Sequence, residues 1–318
     1  TIIGPGCYYA SKSVFVDDGA QLTILPDTIL QFVPLTGLVI ENGNVFAIGT
    51  ASNPIYFTSD SVIKNQNNAW IGIDIRKRSP KFRANRFKFT IIEHAGSPQN
   101  LGATGALAIK ASLIINDSTK YTSSVTNKPR ILFSHNIIRD GVGDFGLFAE
   151  KSSFFELIES NIFYNNANHP ISIDVNESFR VNSTNIFEFN GQRNSDNKLL
   201  ITGSELNTRK FNEANPPNQN FDDNSVSNIT WTKLSIPYEI KEEILVTSTN
   251  LIIEPGVNLL FNPTSGLSIG TDGTLTSIGT SLKPINMSSI SLIENSNWIG
   301  LSFNNSNGNN TIEYTNIN

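Results

Sequence analysis

Gln21-Leu-Thr-Ile-Leu-Pro26-Asp-Thr-Ile-Leu-Gln-Phe32-Val-Pro34-Leu-Thr-Gly37-Leu-Val-Ile40 and Asn250-Leu-Ile-Ile-Glu-Pro255-Gly-Val-Asn-Leu-Leu-Phe261-Asn-Pro263-Thr-Ser-Gly266-Leu-Ser-Ile269 are two copies of one pattern. Their prolines, phenylalanines and glycines coincide at one constant offset: Pro26 falls on Pro255, Phe32 on Phe261, Pro34 on Pro263 and Gly37 on Gly266. The match continues outward. Ala47-Ile-Gly-Thr50 answers Ser277-Ile-Gly-Thr280, Asn53-Pro-Ile55 answers Lys283-Pro-Ile285, Trp70-Ile-Gly-Ile73 answers Trp298-Ile-Gly-Leu301, and Tyr9 answers Tyr238. The offset drifts only slightly, as small loop insertions would produce. Repetition at this scale marks an array built from one supersecondary unit. The first copy is read as residues 1–230 and the second as 231–318, a truncated second unit, in one continuous solenoid. The natural protein is therefore expected to continue beyond Asn318.

A finer period lies inside the first copy. Ser134-His-Asn136-Ile-Ile-Arg-Asp140-Gly141, Glu159-Ser-Asn161-Ile-Phe-Tyr-Asn165-Asn166 and Ser183-Thr-Asn185-Ile-Phe-Glu-Phe-Asn190-Gly191 share one pattern, and the steps from Asn136 to Asn161 and from Asn161 to Asn185 are nearly equal. Phe89-Thr-Ile-Ile-Glu-His94-Ala-Gly96 fits loosely two coils earlier, with Thr90 in the Asn place. Between these stretches stand short alternating segments: Leu38-Val-Ile40, Ile71-Gly-Ile-Asp-Ile75, Leu107-Ala-Ile109 and Ile171-Ser-Ile-Asp-Val175. Alternation with period two turns one set of side chains inward and the other outward. Each run ends at Gly, Asn, Asp or Pro, the residues that supply left-handed turns or interrupt pairing. No window carries the i, i+3, i+4, i+7 apolar face of a helix. The expected fold is all-β, a right-handed parallel β-helix (β-solenoid) of about 24 residues per coil, in which each coil buries its inner face only by stacking on the next.

That stacking gives the recurrent asparagines a candidate role. Asn136, Asn161 and Asn185 would form an inward amide ladder, since a buried amide without partners costs on the order of 1–3 kcal/mol. The alternative is that they are exposed turn residues. Phe133, Phe163 and Phe187 are expected to fill the core. Breaks in the pattern are read at Ile114 to Lys128, a Ser/Thr/Lys loop, and at Phe211 to Asn228, a linker after which Trp231 opens the next copy.

Composition narrows the setting. Charged residues make up 16% of the chain and apolar residues 38%, so Asn, Ser and Thr must cover much of the surface. A net charge of −5 excludes a general affinity for nucleic acid, which needs a broadly basic face. Cys7 is the single cysteine, which rules out an intrachain disulfide or a multi-cysteine metal cluster. It is read as an inert, half-buried thiol rather than a lipid attachment site. No apolar run approaches the ~20 residues of a transmembrane helix, and with no basic-then-apolar leader at Thr1 an export signal, if the protein is exported, is expected to have been removed already. The uncharged polar composition favours a secreted or cell-surface protein. Seven Asn-x-Ser/Thr sequons arise at about the frequency chance would give in so Asn-rich a chain and carry little weight.

At this point the chain resembles bacterial right-handed parallel β-helix repeat surface proteins of the pectate-lyase-like superfamily. The resemblance is carried by Leu251-Ile-Ile-Glu-Pro-Gly-Val257, Gly266-Leu-Ser-Ile-Gly-Thr-Asp-Gly-Thr-Leu275, Ile278-Gly-Thr-Ser-Leu-Lys-Pro-Ile285, Trp298-Ile-Gly-Leu301 and the stretch from Trp231 to Tyr238, with their first-copy counterparts. It covers most of the chain except the middle coils. What it implies is large, multi-unit surface proteins and an architectural role more than catalysis.

The search for chemistry yields no catalytic residues, no metal ligands and no cofactor. Carbohydrate-cleaving β-helices need clustered carboxylates, or acidic calcium ligands with a basic proton acceptor. Asp17-Asp18 and Asp222-Asp223 lie in turn-like settings without a His or Arg partner at coil spacing. Neither the step from His94 to His135 nor that from His135 to His169 is a multiple of the coil, so a zinc site is not expected. One charge anomaly stands out: Arg76, Lys77, Arg78, Lys81, Arg83, Arg86 and Lys88 crowd into one short stretch, where the second copy carries the neutral Asn304 to Asn310. The fold does not require that charge. It is read as a solvated loop or as a contact for an anionic glycan or an acidic neighbouring subunit. The expected partners are further copies, joined end to end or laterally, and a cell-surface glycan. Trp70 and Trp298, equivalent across the copies, are expected to share a structural role. The functional expectation is a non-enzymatic structural or adhesive repeat protein able to assemble into filaments, with polysaccharide binding or degradation as the alternative.

Overall fold

Short strands dominate the chain, and the pairing rule is simple: most strands lie parallel to the one that follows three strands later. The computed structural model describes residues 1–17, 19–41, 43–61, 68–77, 85–97, 111–117, 131–149, 155–191, 196–207, 228–291, 297–304, 306 and 308–318. Lys77 and, Leu113 apart, residues 111–117 are described in backbone path only. Among the described residues there is no α-helix; a single 3₁₀ turn, Ser178–Arg180, interrupts the strands. The chain is all-β with parallel sheets, an arrangement consistent with a β-solenoid.

Contacts divide it into two compact units. Unit 1 is built from Thr1–Lys120, Lys128–Ser172 and Thr184–Asn197, unit 2 from Ile173–Ser183 and Lys198–Asn318.

In unit 1 the first sheet contains Gln21–Ile24, Asn44–Ile48, Asn85–Lys88, Ile131–Ser134 and Phe155–Glu159. The second contains Gly6–Ala10, Thr28–Phe32, Ile55–Ser59, Thr90–Glu93, Ile137–Arg139, Ile162–Tyr164 and Ile186–Glu188. The third contains Val14–Val16, Gly37–Glu41, Gly72–Lys77, Ala111–Asp117 and Phe145–Ala149. Alternation aims every second side chain into the space between the sheets. Inward columns follow: Ile24, Ala47, Phe87, Phe133 and Ile158 on the first sheet, and Leu30, Phe57, Ile92, Ile138, Phe163 and Phe187 on the second. All are buried. Stacking like on like lets Phe163 and Phe187 lie nearly parallel, 5.4 Å between centroids. Each such side chain contributes about 1.5–3 kcal/mol of burial.

Spacing between paired strands shows where loops enter. Ile137 pairs with Ile162 and Ile162 with Ile186, the same interval as that read from the asparagines in the sequence. Ile91, however, pairs directly with Ile137, although nearly two coil lengths of chain separate them. The stretch from Phe89 is thus the adjacent coil, not one two coils away. The strands on either side pair in register whatever the length of chain between them, so counting along the chain overestimates the number of coils. A second correction concerns Ile114 to Lys128: the strand Ala111–Asp117 occupies its beginning, while 118–130 lie outside the described residues, as do Leu107 to Ile109. Of the linker read at Phe211 to Asn228, only Asn228 is described, and it opens the strand Asn228–Trp231.

Unit 2 repeats the scheme with Tyr238–Ile240, Asn258–Phe261, Ile285–Ser289 and Thr315–Ile317 in one set of paired strands. Glu243–Val246, Gly266–Ile269 and Gly300–Phe303 form another, and Asn228–Trp231, Asn250–Ile253, Thr274–Ile278 and Thr311–Glu313 a third. The sequence repeat reappears as repeated geometry. Asp27 and Gly256 both take left-handed backbone (φ 65° and 83°), as do Leu35 and Thr264 (both 65°) and Phe89 and Tyr314 (51° and 45°). Gly49 donates to the Lys88 carbonyl and Gly279 to that of Glu313. A Cβ at either glycine would run into the carbonyl oxygen of Phe89 or Tyr314, so both positions demand glycine. Trp70 stacks on Phe32 at 4.5 Å and Trp298 on Phe261 at 4.1 Å. Each indole N–H donates to a carbonyl of the next coil, Glu93 or Asn318, at 2.8 Å.

Candidate functional site

Asn136, Asn161 and Asn185 turn inward at the corner between the first and second sheets and are buried. The residue before each of the first two, His135 and Ser160, has left-handed backbone (φ 57° and 53°), which swings the following amide into the core. Each link is double. The Asn161 Oδ1 accepts both the backbone N–H (2.9 Å) and the Nδ2 (3.0 Å) of Asn136, and the Asn185 Oδ1 does the same for Asn161 (3.0 Å each). The second amide hydrogen goes to a carbonyl of the preceding strand: Phe87 for Asn136, Phe133 for Asn161, Ile158 for Asn185. Thr90 begins the series, giving its N–H and its hydroxyl to the Asn136 Oδ1 at 2.9 and 2.8 Å. Amides satisfied on both sides are stable in a low-dielectric interior.

A second ladder runs at the far end of the second sheet. Gly141 N–H donates to the Asn166 Oδ1, and Asn166 donates from its backbone and Nδ2 to the Asn190 Oδ1 at 3.2 and 2.8 Å. Asn190 in turn donates to Asn197. In the sequence Asn166 and Asn190 read as turn-formers. The signal that could have found this ladder is the step between them, which equals the step from Asn161 to Asn185.

The titratable residues that meet lie outside this same sheet. Thr58, Glu93, Arg139, Tyr164 and Glu188 stand in one outward column. Glu93 accepts from Thr58 Oγ1 at 2.9 Å on one oxygen and from Arg139 Nε and Nη2 at 2.8 and 2.6 Å on the other. Asp140 lies 3.8 Å from Arg139 and accepts from Asn165 at 2.7 Å. Partial burial pushes the Arg139 pKa down, but the hydrogen bond and charge of Glu93, with Asp140 beside it, outweigh this and raise it. His94 completes the group, its Nε2 4.0 Å from Glu93. The ligating atoms of Glu93, His94 and Asp140 fall within 4.8 Å of one another, a spacing a cation could use. The Arg139 guanidinium already supplies the positive charge there, so a metal would have to displace it from Glu93.

The other histidines are elsewhere: His135 packs on the Phe89 ring at 4.9 Å, His169 beside Phe145 at 6.1 Å. Of the basic segment, Arg76 is held by Asp74 at 2.7 Å, Arg86 lies 3.7 Å from Glu156, and Lys88 sits over the Phe89 ring. Lys77 ends its strand, and Arg78, Lys81 and Arg83 lie outside the described residues, as do Asp18 and the Asp222-Asp223 pair. Cys7 is exposed rather than half-buried, because it points outward from the first strand of the second sheet, its Sγ 3.5 Å from Gln31 Oε1.

These features define an all-β protein of stacked parallel strands whose polar side chains chiefly bond one coil to the next. No family model matches the chain, and neither does any curated protein or solved structure.

Proposed function

We propose that the chain is a right-handed parallel β-helix serving as a non-enzymatic extracellular scaffold, akin to the bacterial β-helix repeat surface proteins it resembles. Handedness follows from chain chirality, since crossovers between parallel strands of one sheet are right-handed in about 98% of cases. The observation that carries the functional reading is where the polar groups are spent. The recurring asparagines give their amides to neighbouring coils and backbone carbonyls, and the Glu93–Arg139 pair links two coils in the same way. An active site needs groups held in reserve for a substrate. The low charge content and Asn-rich sequence fit secretion or display at the cell surface.

The test is incubation with a panel of neutral, uronic-acid and sulfated polysaccharides, followed by assay of reducing ends and unsaturated products. A scaffold releases none; turnover on any member that is lost in a Glu93→Gln or Asp74→Asn variant would overturn the reading. A second reading, attachment to an anionic glycan through Arg76 to Lys88, is favoured by the seven cations where the other copy is neutral. It expects salt-sensitive binding to such a glycan, abolished by K77Q/K81Q/R83Q.

A further inference from the structure

One outward column differs sharply between the two copies. In unit 1 the second sheet lines up Ile29, Tyr56, Ile91, Ile137, Ile162 and Ile186 on its outer side, one per coil; Ile186 is exposed, Ile29, Tyr56, Ile137 and Ile162 are half-buried, and Ile91 is buried. The matching positions of the second copy are Asn258, Asn286 and Asn316, whose amides bond one another at 2.8 Å. The correspondence follows from the shared turns: Ile55 bonds to the Phe89 carbonyl as Ile285 bonds to that of Tyr314. The coil therefore tolerates amides in this column, and the isoleucines are not a requirement of folding. An outward sheet face is ordinarily the polar one.

We infer that this column is a seam at which a second copy of the chain packs, sheet face against sheet face. The inference rests on the scaffold reading and names its lateral contact. Spacing argues for a second copy over an irregular partner. Successive side chains repeat at about 4.8 Å, and only a surface with the same repeat interdigitates along the whole line. The flanks have the composition of a rim: Glu93, Arg139 and Glu188 on one side, His135, Ser160 and Thr184 on the other. A two-fold axis parallel to the column sets the isoleucines face to face and carries the two acidic flanks to opposite rims, so like charges do not meet. The face is small. Six coils by one strand length give on the order of 400 Å² per copy, below the roughly 1,000 Å² in total of a stable specific contact, which makes the association weak and concentration-dependent.

Sedimentation velocity over a concentration series tests this, using the wild-type chain and an I137N/I162N/I186N variant that transfers the amides of the second copy to the seam. The wild type is expected to shift from one to two copies as concentration rises. The variant, with unchanged far-UV circular dichroism, is expected to need at least tenfold more protein to do so. A wild type that stays monomeric throughout overturns the seam, as does a folded variant that associates as readily as the wild type. Should the triple variant melt early, Ile186→Asp decides in its place, because Ile186 is 45% exposed at the end of the column. Polysaccharide turnover would sink the scaffold reading while leaving the seam intact, and a monomer without turnover would do the reverse.

Discussion

Coils 21–94 and 250–318 secure their turns with glycine, proline and paired aromatics, whereas the coils between 131 and 190 secure theirs with amides. In the first group a tryptophan plugs the coil and bonds upward through its indole N–H, Trp70 on Phe32 and Trp298 on Phe261. In the second, a left-handed residue is followed by an inward asparagine that bonds to the coils on either side. Both devices answer the same need, since a turn at the corner of stacked sheets leaves backbone groups that the neighbouring coil must satisfy. They differ in how loss spreads. Loss of an aromatic plug takes one donor from a carbonyl of the next coil, while loss of a ladder amide leaves two donors of the neighbouring asparagine without their acceptor.

The largest effect that could break this comparison is removal of the plug. Trp70 is fully buried, and Trp70→Ala is expected to cost about 3–5 kcal/mol in urea unfolding. Trp298 makes the same stack but is only half-buried, so Trp298→Ala should cost less than half as much. Equal losses would mean that the stack, not burial, carries the energy. Next comes the ladder. Asn161→Ala leaves two donors of Asn136 without their acceptor and the Phe133 carbonyl without one donor. With buried groups left unpaired at about 1–3 kcal/mol, a loss of about 3 kcal/mol is expected. Hydrogen exchange should then quicken at Asn136 itself, one coil away, and confinement of the change to residue 161 would contradict transmission along the ladder.

How much of this was legible depends on which signals repeat. Prolines, glycines and aromatics that recur at one offset, Pro26 with Pro255 and Trp70 close to Trp298, exposed the copies, and the matched turns keep their left-handed backbone, as at Leu35 and Thr264. The inward asparagines at 136, 161 and 185 were legible because the steps between them along the chain are nearly equal. Loops hid the rest. The long insertion between Ile91 and Ile137 disguises neighbouring coils as distant ones. The same insertion hides the meeting of Glu93, His94, Arg139 and Asp140, whose spacing along the chain bears no relation to the coil. The contrast between the Ile91 and Asn316 columns was equally invisible, because which side of a strand faces out depends on register.

A smaller effect separates the paired tyrosines. Tyr238 is buried, stacked on Trp231 and donates to the Thr232 carbonyl. The register corrects its sequence match with Tyr9 by one residue, since Tyr8 pairs with Leu30 as Tyr238 pairs with Leu259, and both Tyr8 and Tyr9 are exposed. Burial, with the charge of Glu254, raises the Tyr238 pKa well above its ordinary value of 10.0, outweighing the opposing effect of the hydrogen bond. Above pH 10 the unfolded chain loses this proton while the folded chain keeps it. The contribution is thus complete below about pH 10 and falls by about 1.4 kcal/mol per pH unit above it, until the folded group also ionises. Unfolding free energies measured from pH 9 to 11.5 should show a steep alkaline limb that Tyr238→Phe flattens and Tyr9→Phe changes less. An unaltered limb in Tyr238→Phe would place the titration elsewhere.

The smallest effect tests whether matched turns are matched in energy. Leu35 and Thr264 hold the same left-handed conformation at φ 65°, both exposed, and neither is a residue that adopts it readily. Left-handed backbone costs a non-glycine residue roughly 1–2 kcal/mol; glycine removes that cost, but part of the gain is lost to the greater entropy of its unfolded chain. Leu35→Gly and Thr264→Gly are therefore each expected to stabilise by about 0.5–1 kcal/mol, with Thr264 gaining more because a β-branched side chain is the worse fit. If Thr264→Gly gains and Leu35→Gly loses, the Leu35 side chain is contributing contacts that its partner in the other copy lacks. The two copies would then share a conformation without sharing the reason for it.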